Sequence, residues 1–592
     1  MSSFPKLYES FTNWLSKKFT PRQVLVFSSI FVGVTAGLAA VVLKTLVHYI
    51  HLAITEDHHI KYQYILYLVF PSIGILLAAW FVQKHLKGKL GRGTANILHA
   101  IAKKSSFLPK DQMYSHIVTS ALTVGFGGSA GLESPIVVTG SAIGSNYGKT
   151  HHINYKDRTL LLACGAAAGI AAAFNSPIAG VLFALEVLLV DISISAFIPL
   201  IIAAASGALL SKIILQEDIL FSFKLRQPFD YHNVFYYIIL GFLAGFVSLY
   251  YARIYLKIES ALKPKKINPY RKALLGGIVL AVLILFFPSL FGEGYDSIKS
   301  LAELNPEKLF EHSILASFVP YKWLVILFIV LTMFFKTVAA AFTIGSGGNG
   351  GNFAPSLFVG AYLGFAFASI INLLGISEAP VSNFTIVAMA GILSGVFHAP
   401  LTAIFLIAEI TGGYELMIPL MIVSAISYTL VKYFEPYSMD TKRLAKKGKV
   451  FTSDKDKNIL TSLKTSKIIE TDFQIISPEA TLGDLVNLVA RSKRNIFPVV
   501  ADEMLVGIIL LDNIREIMFK HEMYNSVYVK ELMRPPPAYI SAEEDMKSVM
   551  KKFDETGAWN LPVLKEGKYI GFISKSSIFV QYRSRLIKTA SE

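Results

Sequence analysis

A single glutamate, Glu133, lies within GGSAGLESPIVVTG at residues 127–140, in a run otherwise built of Ala, Val, Ile, Gly, Ser and Thr. A glycine cluster precedes it and Ser134-Pro135 follows, the residue pattern of a helix start. Helix starts present unpaired backbone N–H groups and a partial positive charge, so they attract anions. Proline is comfortable in the first helical turn, where its missing N–H costs nothing. An ionisable residue at membrane depth is expensive and marks function by default. A carboxylate held at an anion-attracting helix start competes with any anion that passes, so Glu133 reads as a gate.

Three further pieces carry related chemistry. They are Gly91-Arg92-Gly93-Thr94, the stretch Gly345-Ser-Gly-Gly-Asn-Gly-Gly-Asn-Phe-Ala-Pro355, and Pro436-Tyr437-Ser438. Glycine-rich turns leading into apolar helices expose backbone amides that hold an anion without a fixed full charge. A bound ion must also leave, so that property suits conduction. The G-x-G-x-x-G at Gly345, Gly347 and Gly350 lacks a βαβ context, a following acidic residue and the Lys-Ser/Thr of a phosphate loop, which argues against a nucleotide there.

The elements that would position these pieces are membrane helices. Of 592 residues, 53% are hydrophobic and only 16% charged, against about a quarter charged in soluble domains. Apolar runs at 24–50, 65–83, 193–215, 234–256, 273–291, 323–344 and 415–434 each meet the roughly 20 residues a span requires. Shorter broken pieces at 116–147, 160–190, 353–374 and 385–410 suggest paired interrupted helices around a midplane site. The first apolar run begins too late and runs too long for a signal peptide, so none is expected. Lys and Arg exceed Asp and Glu by 15 (56 against 41), but no basic module or aromatic RNA motif supports nucleic-acid binding. Lys17, Lys18 and Arg22 before the first span, and Lys442, Arg443, Lys446, Lys447 and Lys449 after the last, place both termini in the cytoplasm. One cysteine, Cys164, excludes an internal disulfide and a thiolate cluster. His58-His59 and His151-His152 read as solvated loop histidines, without convergent ligand spacing. No Ser/His/Asp grouping, metal spacing or paired carboxylates point to an enzyme.

Composition changes near residue 445 to a charged, soluble tail with an internal repeat. Asn495-Ile-Phe-Pro-Val-Val and Leu505-Val-Gly-Ile-Ile-Leu are echoed by Asn560-Leu-Pro-Val-Leu and Tyr569-Ile-Gly-Phe-Ile-Ser. Helical segments at Thr481–Ala490 and Met546–Phe553 are expected before the two copies, each behind a Ser-x-Glu start signature. Copies of roughly 60 residues are too small to stand alone and should pack together. The tail resembles a pair of cystathionine-β-synthase (CBS) domains, which bind adenine nucleotides in many proteins. The ribose-holding Thr/Ser and Asp positions read Leu510/Asn513 and Ser574/Ser577 here. Both aspartates are absent, which argues against ATP; a structural tail that stabilises a dimer is the competing reading.

At the four glycine, glutamate and tyrosine pieces the chain resembles the CLC family of chloride channels and chloride/proton exchangers. Phe174-Asn-Ser-Pro-Ile-Ala-Gly-Val-Leu-Phe-Ala-Leu-Glu186 and Ala399-Pro-Leu-Thr-Ala-Ile-Phe-Leu-Ile-Ala-Glu409 match the family too, and they echo each other. The resemblance implies an all-α polytopic membrane domain of two inverted halves with tilted and broken helices at 24–447. A cytoplasmic segment at 1–23 precedes it, and an α/β tandem CBS pair at 448–592 follows (about 465–524 and 528–588). It implies gating by Glu133, anion contacts at Arg92, Ser134, Asn352, Phe353 and Tyr437, and a homodimer with one pore per subunit in the plasma or inner membrane. Glu186 and Glu409 would be structural. Where the family pattern has a serine touching the anion, this chain has Arg92, so selectivity does not carry over. Where exchangers commonly carry an inner glutamate, it has Val187, which favours passive conduction of chloride; water alone can relay a proton, so exchange stays open. The rival readings are a fluoride exporter and a membrane-anchored nucleotide sensor. No cofactor is expected in the membrane part.

Overall fold

The computed structural model describes residues 20–55, 60–91, 93–189, 194–215, 227–262, 268–310, 313–315, 321–445, 460, 463 and 465–591. The chain divides into two compact units, Met1–Lys449 and Val450–Glu592. Arg92, Lys17, Lys18, His58, His59, Lys446, Lys447 and Lys449 lie outside the described residues.

The first unit is helical throughout its described part. Its helices are α1 Pro21–Thr55, α2 Ile60–His85, α3 Gly93–Lys103, α4 Ser115–Gly125, α5 Glu133–Thr150, α6 Tyr155–Phe174 and α7 Pro177–Phe183. There follow α8 Ile194–Ile214, α9 Val234–Ala261, α10 Pro269–Phe286, α11 Tyr295–Ala302, α12 Lys322–Ser346 and α13 Phe353–Leu373. The unit closes with α14 Val381–Phe397, α15 Pro400–Ile410, α16 Met417–Phe434 and α17 Met439–Ala445. Nine helices among the described residues are long and apolar enough to cross a membrane. The expected interruptions are resolved: 116–147 divides into α4 and α5, 160–190 into α6 and α7, and 385–410 into α14 and α15. The 353–374 segment differs from expectation. Its glycines and Pro355 leave helix α13 unbroken for 21 residues, because Pro355 falls in the first turn, where no intrahelical N–H bond is lost.

Two stretches of this unit repeat one design. Helices α4 to α7 correspond in order and local structure to α12 to α15. Asn175 after α6 (φ 52°) and His398 after α14 (φ 58°) both close their helices in the left-handed conformation, and proline opens the next helix in both cases. Bonds between the repeats come in reciprocal pairs. Ser129 N–H donates to Thr343 Oγ1 (3.2 Å) and Asn349 N–H to Thr123 Oγ1 (3.0 Å). Such exchanged contacts are what a local two-fold relation generates. Glycine makes the repeats compact: a Cβ on Gly140 or Gly165 would overlap the other's backbone carbonyl, as would one on Gly364 against Phe384. Without a hydrophobic drive between helices in lipid, close backbone approach of this kind supplies the packing.

The second unit carries one five-stranded sheet in the order β1-β2-β5-β4-β3. The strands are β1 Ile496–Ala501, β2 Met504–Leu510, β3 Ile540–Ser541, β4 Asn560–Lys565 and β5 Lys568–Ser574. The two copies of the repeat are built alike. Each hairpin has a register shift near its end, at Val499/Val500 and Val563/Leu564. Each turns through two residues of positive φ, Asp502-Glu503 and Glu566-Gly567, the geometry that matches strand twist. Helix α18 Leu482–Arg491 precedes β1, α19 Leu511–Ile514 follows β2, α20 Val529–Leu532 precedes β3, α21 Met546–Thr556 precedes β4, and α22 Lys575–Ser591 follows β5. The Ser-x-Glu signature does not start α18 or α21. Thr481 caps α18 in a reciprocal box with Asp484, and the Asp545 side chain caps α21, four residues later than Ser477 and Ser541 because those serines sit in the preceding extended segments.

Candidate functional site

The glycine-rich loops before α5 and α13 meet as a two-residue antiparallel bridge. Gly131 N–H donates to Gly351 O (2.9 Å), and Gly351 N–H donates to Gly131 O (2.7 Å). This bridge fixes two helix N-termini side by side. Their partial positive ends and unpaired N–H groups therefore converge. A cavity of about 30 Å³ lies there, lined by Gly93, Thr94, Glu133, Ser134, Tyr255, Gly351, Asn352 and Phe353 among others. That volume holds a body the size of a small ion or about two waters.

Glu133 opens α5 and is 3% exposed. Its carboxylate faces the backbone N–H groups of Glu133 itself and of Ala354. Oε1 accepts from the Tyr295 hydroxyl, while Oε2 has no hydrogen-bond partner among the described residues. A carboxylate therefore occupies the junction of the two helix starts. Asn352 precedes α13 and is held from behind, its Oδ1 accepting from the Tyr251 hydroxyl at 3.0 Å. Phe353 packs its ring 5.3 Å from Phe397, 5.8 Å from Phe174 and 6.4 Å from Phe183, an aromatic wall beside the polar helix starts.

The structure brings Glu133, Ser134, Asn352 and Phe353 together around the cavity. Tyr437 is half-buried in the bend between α16 and α17 and is not among the residues lining this cavity. Tyr255, from α9, does line it. Asp440, three residues beyond Tyr437, reaches it from α17. Val187 lies in a π-helical turn, Ala184–Leu188, with its side chain against the apolar core. Sequence reasoning also missed the surroundings of Glu133, namely Lys44, Glu293 and Tyr295, with Lys336 behind Glu293. Lys44 and Lys336 are lone cations inside runs 24–50 and 323–344, and that rarity was the available signal.

Glu186 and Glu409 have a positional role. Glu186 follows α7 and accepts from the N–H groups of Leu401 (3.0 Å) and Thr402 (2.8 Å) at the start of α15. Glu409, at the end of α15, accepts from the N–H groups of Ile178 (3.0 Å) and Ala179 (2.9 Å) at the start of α7. Each short helix thus caps the other, satisfying donors that lipid cannot. Removing Glu409 strands two N–H groups, each costing about 1–3 kcal/mol. Glu409→Ala is expected to lower the apparent melting temperature of the detergent-solubilised protein by about 5 °C, with Glu409→Gln intermediate. An unchanged melting temperature would contradict the capping role.

In the second unit, Asn513 lies in α19 with its amide nitrogen unpartnered among the described residues. Ser574 and Ser577 stand at the β5–α22 junction. Ser574 Oγ donates to Glu470 Oε1 (2.5 Å), and Ser577 Oγ donates to Ser574 O (2.9 Å). Arg494 bridges Glu470 (2.7 Å) and Asp472 (2.6 Å). Its hydrogen bond holds the Asp472 carboxyl below the usual carboxylate range.

Repeated halves of interrupted helices, with paired helix starts around a buried cavity, define an integral multi-pass membrane protein of the transporter and channel class. Residues 74–432 match the voltage-gated chloride channel family, and residues 466–520 and 529–582 match CBS domains. The chain belongs to that chloride channel family. It is 30% identical over 370 residues to a putative ClcB-like chloride channel protein of Ralstonia nicotianae, covering 61% of this chain and 81% of the relative. It is 26% identical over 441 residues to the chloride channel protein CLC-e of Arabidopsis thaliana, covering 68% of this chain and 58% of the relative. Among solved structures, a slow cyanobacterial chloride/proton antiporter superposes with a TM-score of 0.62 at 22% identity, covering 73% of this chain and 99% of the other. A eukaryotic CLC transporter superposes with a TM-score of 0.60 at 18% identity, covering 93% and 97%. A CLC-type fluoride/proton antiporter gives 0.57 at 25% identity, covering 71% and 97%.

Proposed function

We propose that this protein carries chloride, or a similar small anion, across a membrane along a path closed by the Glu133 carboxylate. The observation that carries the reading is the position of that carboxylate. It fills the junction of the α5 and α13 helix starts, where a permeating anion would be held. Carboxylate and anion compete for the same N–H groups and the same dipole ends. Protonation neutralises Glu133 and removes its claim on them, and an anion then enters. Phe353 and its aromatic neighbours wall the junction on one side, and backbone amides hold an ion without a fixed full charge, so that it can also leave.

Passive conduction is the reading favoured by Val187, because a half-buried apolar side chain packed against the core relays no proton inward. A proton-coupled exchanger is the second reading, favoured by the likeness to the chloride/proton and fluoride/proton antiporters. Chloride efflux from liposomes holding the purified full chain, with simultaneous pH recording, tests both. Efflux without proton uptake is expected. Protons driven against their own gradient by chloride would establish exchange, and no chloride flux would overturn the whole reading. Fluoride in place of chloride reports selectivity.

Membership of the family further supports a homodimer with one pore per subunit, and the basic residues flanking the first and last spans support cytoplasmic termini. The CBS pair serves as a structural tail, because Ser574 and Ser577 already use their hydroxyls within the chain.

A further inference from the structure

The segment between α10 and α11 reaches the Glu133 loop through three successive hydrogen bonds. Gly292 N–H donates to Gly127 O (3.1 Å). Leu132 N–H donates to Glu293 Oε1 (3.2 Å). The Tyr295 hydroxyl donates to Glu133 Oε1. Residues 292–295 therefore hold the loop from its glycine turn to the carboxylate itself. The segment is in turn fixed by buried groups. Lys336 of α12 donates to Gly292 O at 3.1 Å, and the Tyr295 ring packs edge-on against Phe174 at 6.3 Å.

We propose that Tyr295 is a positioning residue of the gate, a latch whose hydroxyl holds the Glu133 carboxylate at the junction of the two helix starts. This rests on the reading of Glu133 as the gate. Of the two oxygens, Oε1 is tied to Tyr295 and Oε2 is the one without a partner. For the carboxylate to leave the junction, the bond to Tyr295 must break. A donor to a charged acceptor is among the stronger hydrogen bonds in a protein, more so away from water. The latch therefore adds to the barrier that an entering anion faces. Protonation of Glu133 weakens the bond as well as the hold of the helix dipoles, so latch and gate release together. The titratable and charged groups facing this pair are Lys44 of α1 and Glu293, with Lys336 of α12 facing Glu293 in turn. Two carboxylates thus face the phenol, and two ammonium groups face those carboxylates. A neutral donor with a fixed ring suits that place better than a further charge would.

The test is chloride efflux from liposomes as a function of pH for the full-length wild type, Tyr295→Phe, Glu133→Gln and the double variant. Phenylalanine keeps the ring packing and removes only the donor. Tyr295→Phe is expected to raise flux at neutral pH by about tenfold and to shrink its stimulation by acid. In the Glu133→Gln background the same substitution is expected to change flux less than about twofold, because the uncharged amide no longer holds the junction and accepts only a weaker, neutral hydrogen bond. Wild-type flux and pH profile in Tyr295→Phe, or an equal change in both backgrounds, would overturn the latch while leaving the gate standing. Wild-type pH dependence in Glu133→Gln would overturn the gate and the latch with it. Should Tyr295→Phe aggregate, Glu133→Asp breaks the same bond from the other side and is read for the same rise.

Discussion

Glu133→Gln is expected to raise chloride flux at pH 7 at least about tenfold and to leave it flat across the pH range in which wild-type flux climbs with acidity. The direction follows from the chemistry of the site. Glutamine has nearly the shape of glutamate but never a charge. In the wild type, each unit of acidity moves more of the population to the neutral carboxyl, which has lost its attraction to the α5 and α13 helix starts. The amide variant stands permanently at that acid limit. The size follows from what is lost. A charge at a partly buried helix end is worth up to about 2 kcal/mol, and a hydrogen bond to a charged group about 1.5–3 kcal/mol. Either alone shifts an equilibrium about tenfold or more. The measurement is efflux from chloride-loaded liposomes at stepped pH. A variant that still responds to acid as the wild type does would remove Glu133 from the gate.

Much of this site could be read from the chain, and the reason is geometric. Gly-Leu-Glu-Ser-Pro and Gly-Asn-Phe-Ala-Pro are local signals, because a helix start is written in four or five consecutive residues. The echo between Phe174–Glu186 and Ala399–Glu409 likewise disclosed the repeated halves, since both stretches share one local design. That these two glutamates cap each other's helix starts across more than 200 residues is tertiary and could only be seen in the fold. The partners of Glu133 illustrate the limit. Tyr295 stands 162 residues away in sequence, in a Gly-Glu-Gly-Tyr turn just past the apolar run at 273–291. No periodicity links it to α5. Tyr255, which lines the cavity from the last turns of α9, was not legible either, because its sequence context resembles any buried aromatic. In the second unit the hairpins were legible through their alternation, but the helix starts were not. Serine, threonine and aspartate all cap, and only the fold decides which one does.

The second large effect concerns the bridge rather than the carboxylate. Gly351→Val is expected to reduce chloride flux about 100-fold at every pH, and Glu133→Gln should not restore it. A Cβ at Gly351 would lie 2.7 Å from Ser134 Cβ and 3.1 Å from Ser134 N. Backbone stands on the other side of that contact, so no side chain can swing away to relieve it. The overlap is relieved only by parting the two loops, which lengthens or breaks the paired bonds between Gly131 and Gly351 (2.9 and 2.7 Å). Those bonds are what bring the α5 and α13 starts to one point, and displacing an oriented set of groups by about 1 Å commonly costs about 100-fold. Removing the Glu133 charge should not help, because on the proposed reading the lost component is the anion's own binding site. Gly413→Ala is the control: nothing lies within 4 Å of a Cβ there, so flux should stay within about twofold of wild type, the usual tolerance of a surface substitution. Both proteins are compared at equal reconstituted amounts, with a single symmetric size-exclusion peak in detergent as the criterion of folding. Wild-type flux through Gly351→Val would mean that the joined helix starts are not where the anion passes.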